Sequence, residues 1–325
     1  MAVGVGAGVL AVLFGIVAVV PGFMPELPTR AQDGLTLALS VLIESLPFIA
    51  LGVVLSIVVQ VWVPAGVIER YMPKRAWARR MVLSLLGMLI PVCECGNVPF
   101  ARGLLMRGFA PAETLTFLIA APIVNPIVII TTHQAFGFSD GILIARLLGG
   151  YAIANLIGWL YSRHPDPDAL LTDRFRDTCA LEQAQGPGGA PGTKWRRTLA
   201  QFIIELRAVM PALVIGSALA GAIQVLVPRD ALLAIGSNPV YSIAAMMALA
   251  MVVAICSNVD AYFALSFAST FTPGAIVAFL IVGPIVDVKM IALLRTTFTT
   301  RLIAGVVAIV LLSAFAIGVG VNLLV

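Results

Sequence analysis

Pro91-Val92-Cys93-Glu94-Cys95-Gly96-Asn97-Val98-Pro99 interrupts an apolar stretch running from 81 to 107, and the reading of that interruption decides the fold. Pro99 has no amide hydrogen and suits the first turn of a new helix. Each flanking arm is then about 10–15 residues long, enough to reach the middle of a bilayer but not to cross it. A second interruption, Cys256-Ser257-Asn258-Val259-Asp260, sits inside the apolar stretch 241–268.

The rest of the chain supports a membrane setting. Of its 325 residues, 60% are apolar and 11% are charged; a soluble domain carries about 25% charged residues. Other apolar segments cover 3–20, 34–61, 114–132, 139–161, 200–227, 274–293 and 301–325. If every segment crossed the membrane, the basic residues would divide evenly between the two sides. If 81–107 and 241–268 instead dip in and return, the basic residues outside the spans gather on one side, all but Arg30 and Arg229. The positive-inside rule selects the second arrangement. The first twenty residues lack a basic n-region and a small-residue cleavage site, and read as a retained helix.

Two halves recur in the sequence. Pro47, Gly52, Gln60 and Pro64 return as Pro211, Gly216, Gln224 and Pro228. Cys95, Asn97 and Val98 return as Cys256, Asn258 and Val259. Phe109, Pro111, Phe117 and Pro122 return as Phe271, Pro273, Phe279 and Pro284. A near-constant offset across three blocks points to duplication, a mark of many secondary transporters. The expected fold is an all-α polytopic membrane protein of two repeats, each with three transmembrane helices and a broken re-entrant hairpin. An odd number of crossings inverts the second repeat. The expected divisions are 1–33 (an extra N-terminal helix and outer loop), 34–161 (repeat 1), 162–199 (a cytoplasmic linker) and 200–325 (repeat 2). Low apolar content and dense Gly and Pro predict a mobile solvent loop for the linker.

The hairpin tips are the expected substrate site, because irregular backbone at that depth has to face protein or a polar cavity. Cys93 and Cys95, with Cys256 at the other tip, are soft ligands suited to a thiophilic centre; the competing reading is that they pack as small apolar residues. Asn97 and Asn258 either bind solute or cap the returning helices. The helix starts there point positive dipole ends inward, which favours an anion or a solute's oxygens. Pro122 and Pro284 break two further spans and place Asn125 and Asp287 at matching positions. Asp287 and Lys289 are ionisable groups within an apolar span, and either line a path or pair with one another. Glu94, Asp260 and Glu44 are expected to be buried carboxylates able to carry protons. Arg146 stands inside its span with no partner evident from sequence.

The run C-E-C-G-N-V-P-F-A-R-G (93–103), followed by F-L-I-A-A-P-I-V-N-P (117–126), resembles the predicted bacterial permease family that includes the organoarsenical efflux permease ArsP. The resemblance spans roughly 34–310 and puts Cys93, Cys95, Gly96, Pro99, Gly103, Pro122, Asn125 and Pro126 on signature positions. It implies a multi-helix inner-membrane protein that exports trivalent organoarsenicals without an ATPase of its own. Many members carry Ser between the two cysteines; Glu94 stands there in this chain, which suits a metal cation or a proton-coupled step.

The expected function is a secondary permease for a small thiophilic solute, contacted by the three cysteines, Asn97, Asn258, Asn125 and Asp287. The alternatives are a transporter of a metal ion or sulfur-containing anion, and a membrane scaffold without transport. Expected partners are a small-molecule or metalloid substrate, the lipid bilayer and a second copy of the chain. No nucleic-acid partner is expected, since the basic residues sit between apolar runs. No Walker A pattern, dinucleotide fingerprint or G-x-S-x-G element points to an enzyme, and no cofactor is expected.

Overall fold

The computed structural model describes residues 29–63, 72–89, 93–138, 141–185, 194–226 and 239–324. The N-terminal apolar run 3–20, the dipeptide Pro91–Val92, Pro64, Pro228 and the Gly/Pro-rich part of the linker lie outside the described residues. Among the described residues there is no strand, only an isolated bridge between Leu171 and Phe298.

The first series of elements is α1 (Thr29–Ile57, extended by a π-helical turn to Trp62), α2 (Ala76–Leu85), α3 (Glu94–Met106), α4 (Pro111–Val124), α5 (Pro126–Phe136) and α6 (Ile142–Tyr161). A linker helix, α7 (Asp173–Gln185), follows. The second series is α8 (Lys194–Leu226), α9 (Pro239–Val253), α10 (Asp260–Leu265), α11 (Pro273–Ile285), α12 (Val288–Leu294) and α13 (Thr300–Leu324). Prolines open α4, α5 and α11, where a missing amide hydrogen costs nothing.

Six helical stretches among the described residues are long and apolar enough to cross a membrane. They are α1, α4–α5, α6, α8, α11–α12 and α13. Burial sorts them: the most apolar windows of α4–α5 and α11–α12 are 72% and 83% buried, against 33% for α1, α8 and α13 and 44% for α6. Among the described residues the two proline-broken spans are therefore the most buried, and the unbroken spans are the more exposed. That order follows from backbone chemistry. A break frees carbonyl and amide groups, which hydrocarbon cannot satisfy.

Helix α1 packs along α8 and also against α3. The second contact depends on two glycines, since a Cβ on Gly52 would lie 2.0 Å from the carbonyl oxygen of Gly96. Helix α8 packs instead against α12, where Gly216 meets Lys289 and Ala292. Sequence-matched glycines thus receive different neighbours in the two series.

The first half of the linker is folded, in contrast to the mobile loop predicted from composition. Leu170, Leu171, Phe175 and Cys179 are buried. Thr172 N–H donates to the Thr297 carbonyl at 2.9 Å, and Thr299 N–H donates to the Leu170 carbonyl at 3.0 Å. Phe175 and Cys179, four residues apart, share one face of α7, which average composition hides. The polar side chains between them keep the opposite face in water.

Candidate functional site

The two interruptions fold alike. The Cys93 carbonyl accepts the amides of Gly96 and Asn97 at 3.1 and 3.2 Å and starts α3. The Cys256 carbonyl accepts those of Val259 and Asp260 at 3.0 and 3.1 Å and leads into α10. The Val259 carbonyl, at the N-cap of α10, accepts the amides of Tyr262 and Phe263 in the same way, both at 3.2 Å, so the second break holds two such turns where the first holds one. The second break also contains Ala254 at φ +49°, a left-handed conformation uncommon outside glycine. Ending α9 at Val253 frees its carbonyl, which accepts from Gln224 Nε2 at 2.6 Å.

Glu94 joins the breaks. One carboxylate oxygen accepts from Ser257 Oγ at 2.9 Å and from the Cys256 thiol at 3.8 Å. The other faces Lys289 Nζ at 3.4 Å. Glu94, Ser257, Cys256 and Lys289 are all buried. The Cys93 sulfur, a Glu94 oxygen and the Cys256 sulfur lie within 4.8 Å of one another, a spacing that allows all three to ligate one centre. Cys95 is outside that triple. Its thiol donates toward Ser45 Oγ at 3.6 Å, on α1.

Asp287 caps α12 by accepting from Met290 N–H, and its second oxygen is buried without a partner. Both polar atoms of the Asn97 side chain are likewise buried and unpartnered, and so is Asn258 Oδ1. Buried polar groups in native proteins are almost always paired, and unfilled ones point to water or ligand. Asn125 mirrors Asp287 as the cap of α5, with Oδ1 accepting from Ile127 N–H at 2.9 Å. The side chains of Lys289, Glu94, Asp287, Cys95 and Cys256 are close enough to interact electrostatically.

Asp260 is engaged elsewhere. Both its oxygens accept from Arg146, at 3.0 and 2.6 Å, and Arg146 also donates to Thr132 Oγ1 at 2.7 Å. This is the partner that sequence left unassigned. Glu44 departs from expectation: it is exposed at the surface of α1 rather than buried. Its neighbour Ser45 turns inward, and one residue along a helix rotates the side chain by about 100°. Sequence reasoning missed Ser257 and Thr132; their signal was a hydroxyl inside a break and one within reach of an intramembrane arginine.

The helix starts do not present bare positive ends. Glu94 lies in the first turn of α3, Asp260 in that of α10, and Asp287 caps α12. Each of these helix starts therefore has a carboxylate beside it, with Glu94 facing Lys289 and Asp260 paired to Arg146.

The model of a family described as "Predicted permease" matches residues 31–323 of the chain. The chain belongs to this predicted permease family. The permease is similar to the UPF0718 protein YcgR of Bacillus subtilis (strain 168), 39% identical over 285 residues covering 84% of this chain and 92% of that protein. It is also similar to a Streptococcus mutans protein named "Putative two-component membrane permease complex subunit". That relative is 33% identical over 282 residues, covering 86% of this chain and 91% of the relative. No solved structure matches this chain. Family membership and six apolar helices make the permease an all-α, multi-pass membrane protein, in a bacterium one of the cell membrane.

Proposed function

We propose that this permease exports a small thiophilic solute, such as a trivalent organoarsenical, through the junction of the two helix breaks. The observation that carries the proposal is the buried Cys93–Glu94–Cys256 triple, with ligand atoms within 4.8 Å of one another and contributed by both interruptions. Thiols bind soft centres. A solute R–As(OH)2 exchanges two hydroxyls for two thiols: two As–S bonds form, two As–O bonds break, and each thiol proton leaves in a water molecule. No oxidant is needed, and the exchange runs in reverse on release.

In this reading the two series are inverted repeats and the breaks are the tips of re-entrant hairpins near the midplane. Asn97, Asn258, Asn125 and Asp287 complete the polar lining. Cys95, held toward Ser45, supports the triple. Glu94 carries protons to and from the thiols, while Asp260, tied to Arg146, fixes the geometry. Glu44, near enough to sense the charges of Lys289 and Glu94, is a second proton carrier.

A second reading replaces the arsenical with a thiophilic metal ion. The Glu94 carboxylate in the triple favours it, since a carboxylate ligates a cation better than a trivalent arsenic. The Streptococcus mutans relative is named as a subunit of a two-component membrane permease complex; on that analogy both readings give this chain a membrane partner.

The test is methylarsenite efflux from cells carrying Cys93→Ser, Cys256→Ser or Cys95→Ser, alongside Cd2+ binding by the purified protein. The proposal expects the first two variants to lose efflux. Unchanged efflux in both removes the thiol mechanism. Cd2+ binding that needs Cys93, Glu94 and Cys256, with no arsenical movement, selects the metal. Failure to move either solute in liposomes leaves the scaffold alternative.

A further inference from the structure

Away from the thiol junction, a cavity of about 850 Å³ opens between α8, α12 and the start of α7. Four arginines line it: Arg102, Arg174, Arg207 and Arg295. Arg102 is committed to Glu205 at 2.9 Å. Arg174, Arg207 and Arg295 are exposed and take part in no ion pair among the described residues. Among the described residues that line the cavity, none is acidic. Its wall along α8 is apolar, with Ile204, Ile215 and Leu219 between 50% and 64% exposed. The cavity therefore has a basic end beside the linker and an apolar flank that climbs to Val288.

We infer that this cavity holds an anionic membrane lipid. The phosphate sits among Arg207, Arg295 and Arg174, and an acyl chain lies along Ile215 and Leu219. Two features select this occupant. Arginines without a carboxylate partner, Arg207 within the α8 span and Arg295 just past the end of α12, require an anion, and the linker side is the side on which basic residues gather and anionic headgroups attract them. The exposed apolar wall requires hydrocarbon, which a free phosphate does not bring. The guanidinium fork matches phosphate oxygens in pairs. The site is independent of the thiol junction, so its failure leaves the transport proposal untouched.

The experiment is native mass spectrometry of the full chain released from nanodiscs containing equal phosphatidylglycerol and phosphatidylcholine. Retention of phosphatidylglycerol in preference to phosphatidylcholine is expected. The Arg207→Gln/Arg295→Gln variant, shown by size exclusion to be folded, is expected to lose it by about 25-fold, roughly fivefold per arginine. Equal retention of the two lipids by the unaltered protein overturns the inference, with no need for any variant. So does undiminished retention in the double variant, or displacement by millimolar inorganic phosphate, which would make this an ion site without a chain.

Discussion

Arg146 and Asp260, 114 residues apart, form a buried two-pronged ion pair with N–O distances of 3.0 and 2.6 Å. Arg146 comes from the first turns of α6, and Asp260 opens α10. The pair, with Thr132 of α5 as its third member, fastens the second helix break to two helices of the first series. Removing one partner leaves the other charged and unpaired in a setting that cannot hydrate it. We expect Arg146→Leu and Asp260→Leu each to lose about 3–5 kcal/mol, and the double substitution to recover much of that loss. Thermal unfolding of the three purified variants in detergent checks this; additive losses would mean the charges do not act as a pair.

The Gly52–Gly96 approach gives a sharper steric prediction. A methyl on Gly52 meets a backbone oxygen at 2.0 Å, so α1 and α3 have to separate. A methyl on Gly34 meets Val225 Cγ2 at 3.7 Å and the Gly221 carbonyl oxygen at 3.9 Å, both ordinary contacts. Gly52→Ala is expected to cost about 1–3 kcal/mol and to reduce transport, because α3 carries Glu94, while Gly34→Ala is expected to be tolerated. Melting temperatures of the two variants, measured side by side, decide it.

The three cysteines are expected to separate by role. Cys93 and Cys256 belong to the triple around Glu94, and Cys95 turns toward Ser45. Titration of the purified permease with a thiophilic probe such as Cd2+ should show a large loss for Cys93→Ser or Cys256→Ser. For Cys95→Ser a loss of about 10–100-fold at most is expected, the range for a group that supports ligands without being one. Equal losses in all three would place Cys95 in direct contact with the probe.

The linker is expected to be held by one aromatic residue. Phe175 is 1% exposed and stacks on the Arg102 guanidinium at 4.4 Å from its ring centre. Arg102 in turn pairs with Glu205 of α8 and donates to Thr296 and Thr297. Phe175→Ala should release α7, at a local cost of about 3 kcal/mol or more. Limited trypsin digestion reads this out as faster cleavage after Arg174 and Arg176, with the transmembrane core left intact.

What could be read from sequence was governed by local rules. Length and apolarity specified the membrane spans, because hydrocarbon forces backbone groups to pair within a helix. Prolines marked Asn125 and Asp287 as breaks, and the C-x-C run marked the start of α3. Arg146 stood out because a lone intramembrane charge is costly. The sequence by itself therefore determined an all-helical membrane protein with interrupted helices and named most residues near the interruptions. Tertiary structure decided which of them meet. It paired Arg146 with Asp260, joined Glu94 to Ser257 and Lys289, turned Glu44 outward, brought Cys256 beside Cys93 and seated Phe175 on Arg102. Each of those contacts spans distant parts of the chain or depends on a rotation of about 100° per residue, and neither spacing nor composition encodes which partner a buried charge finds.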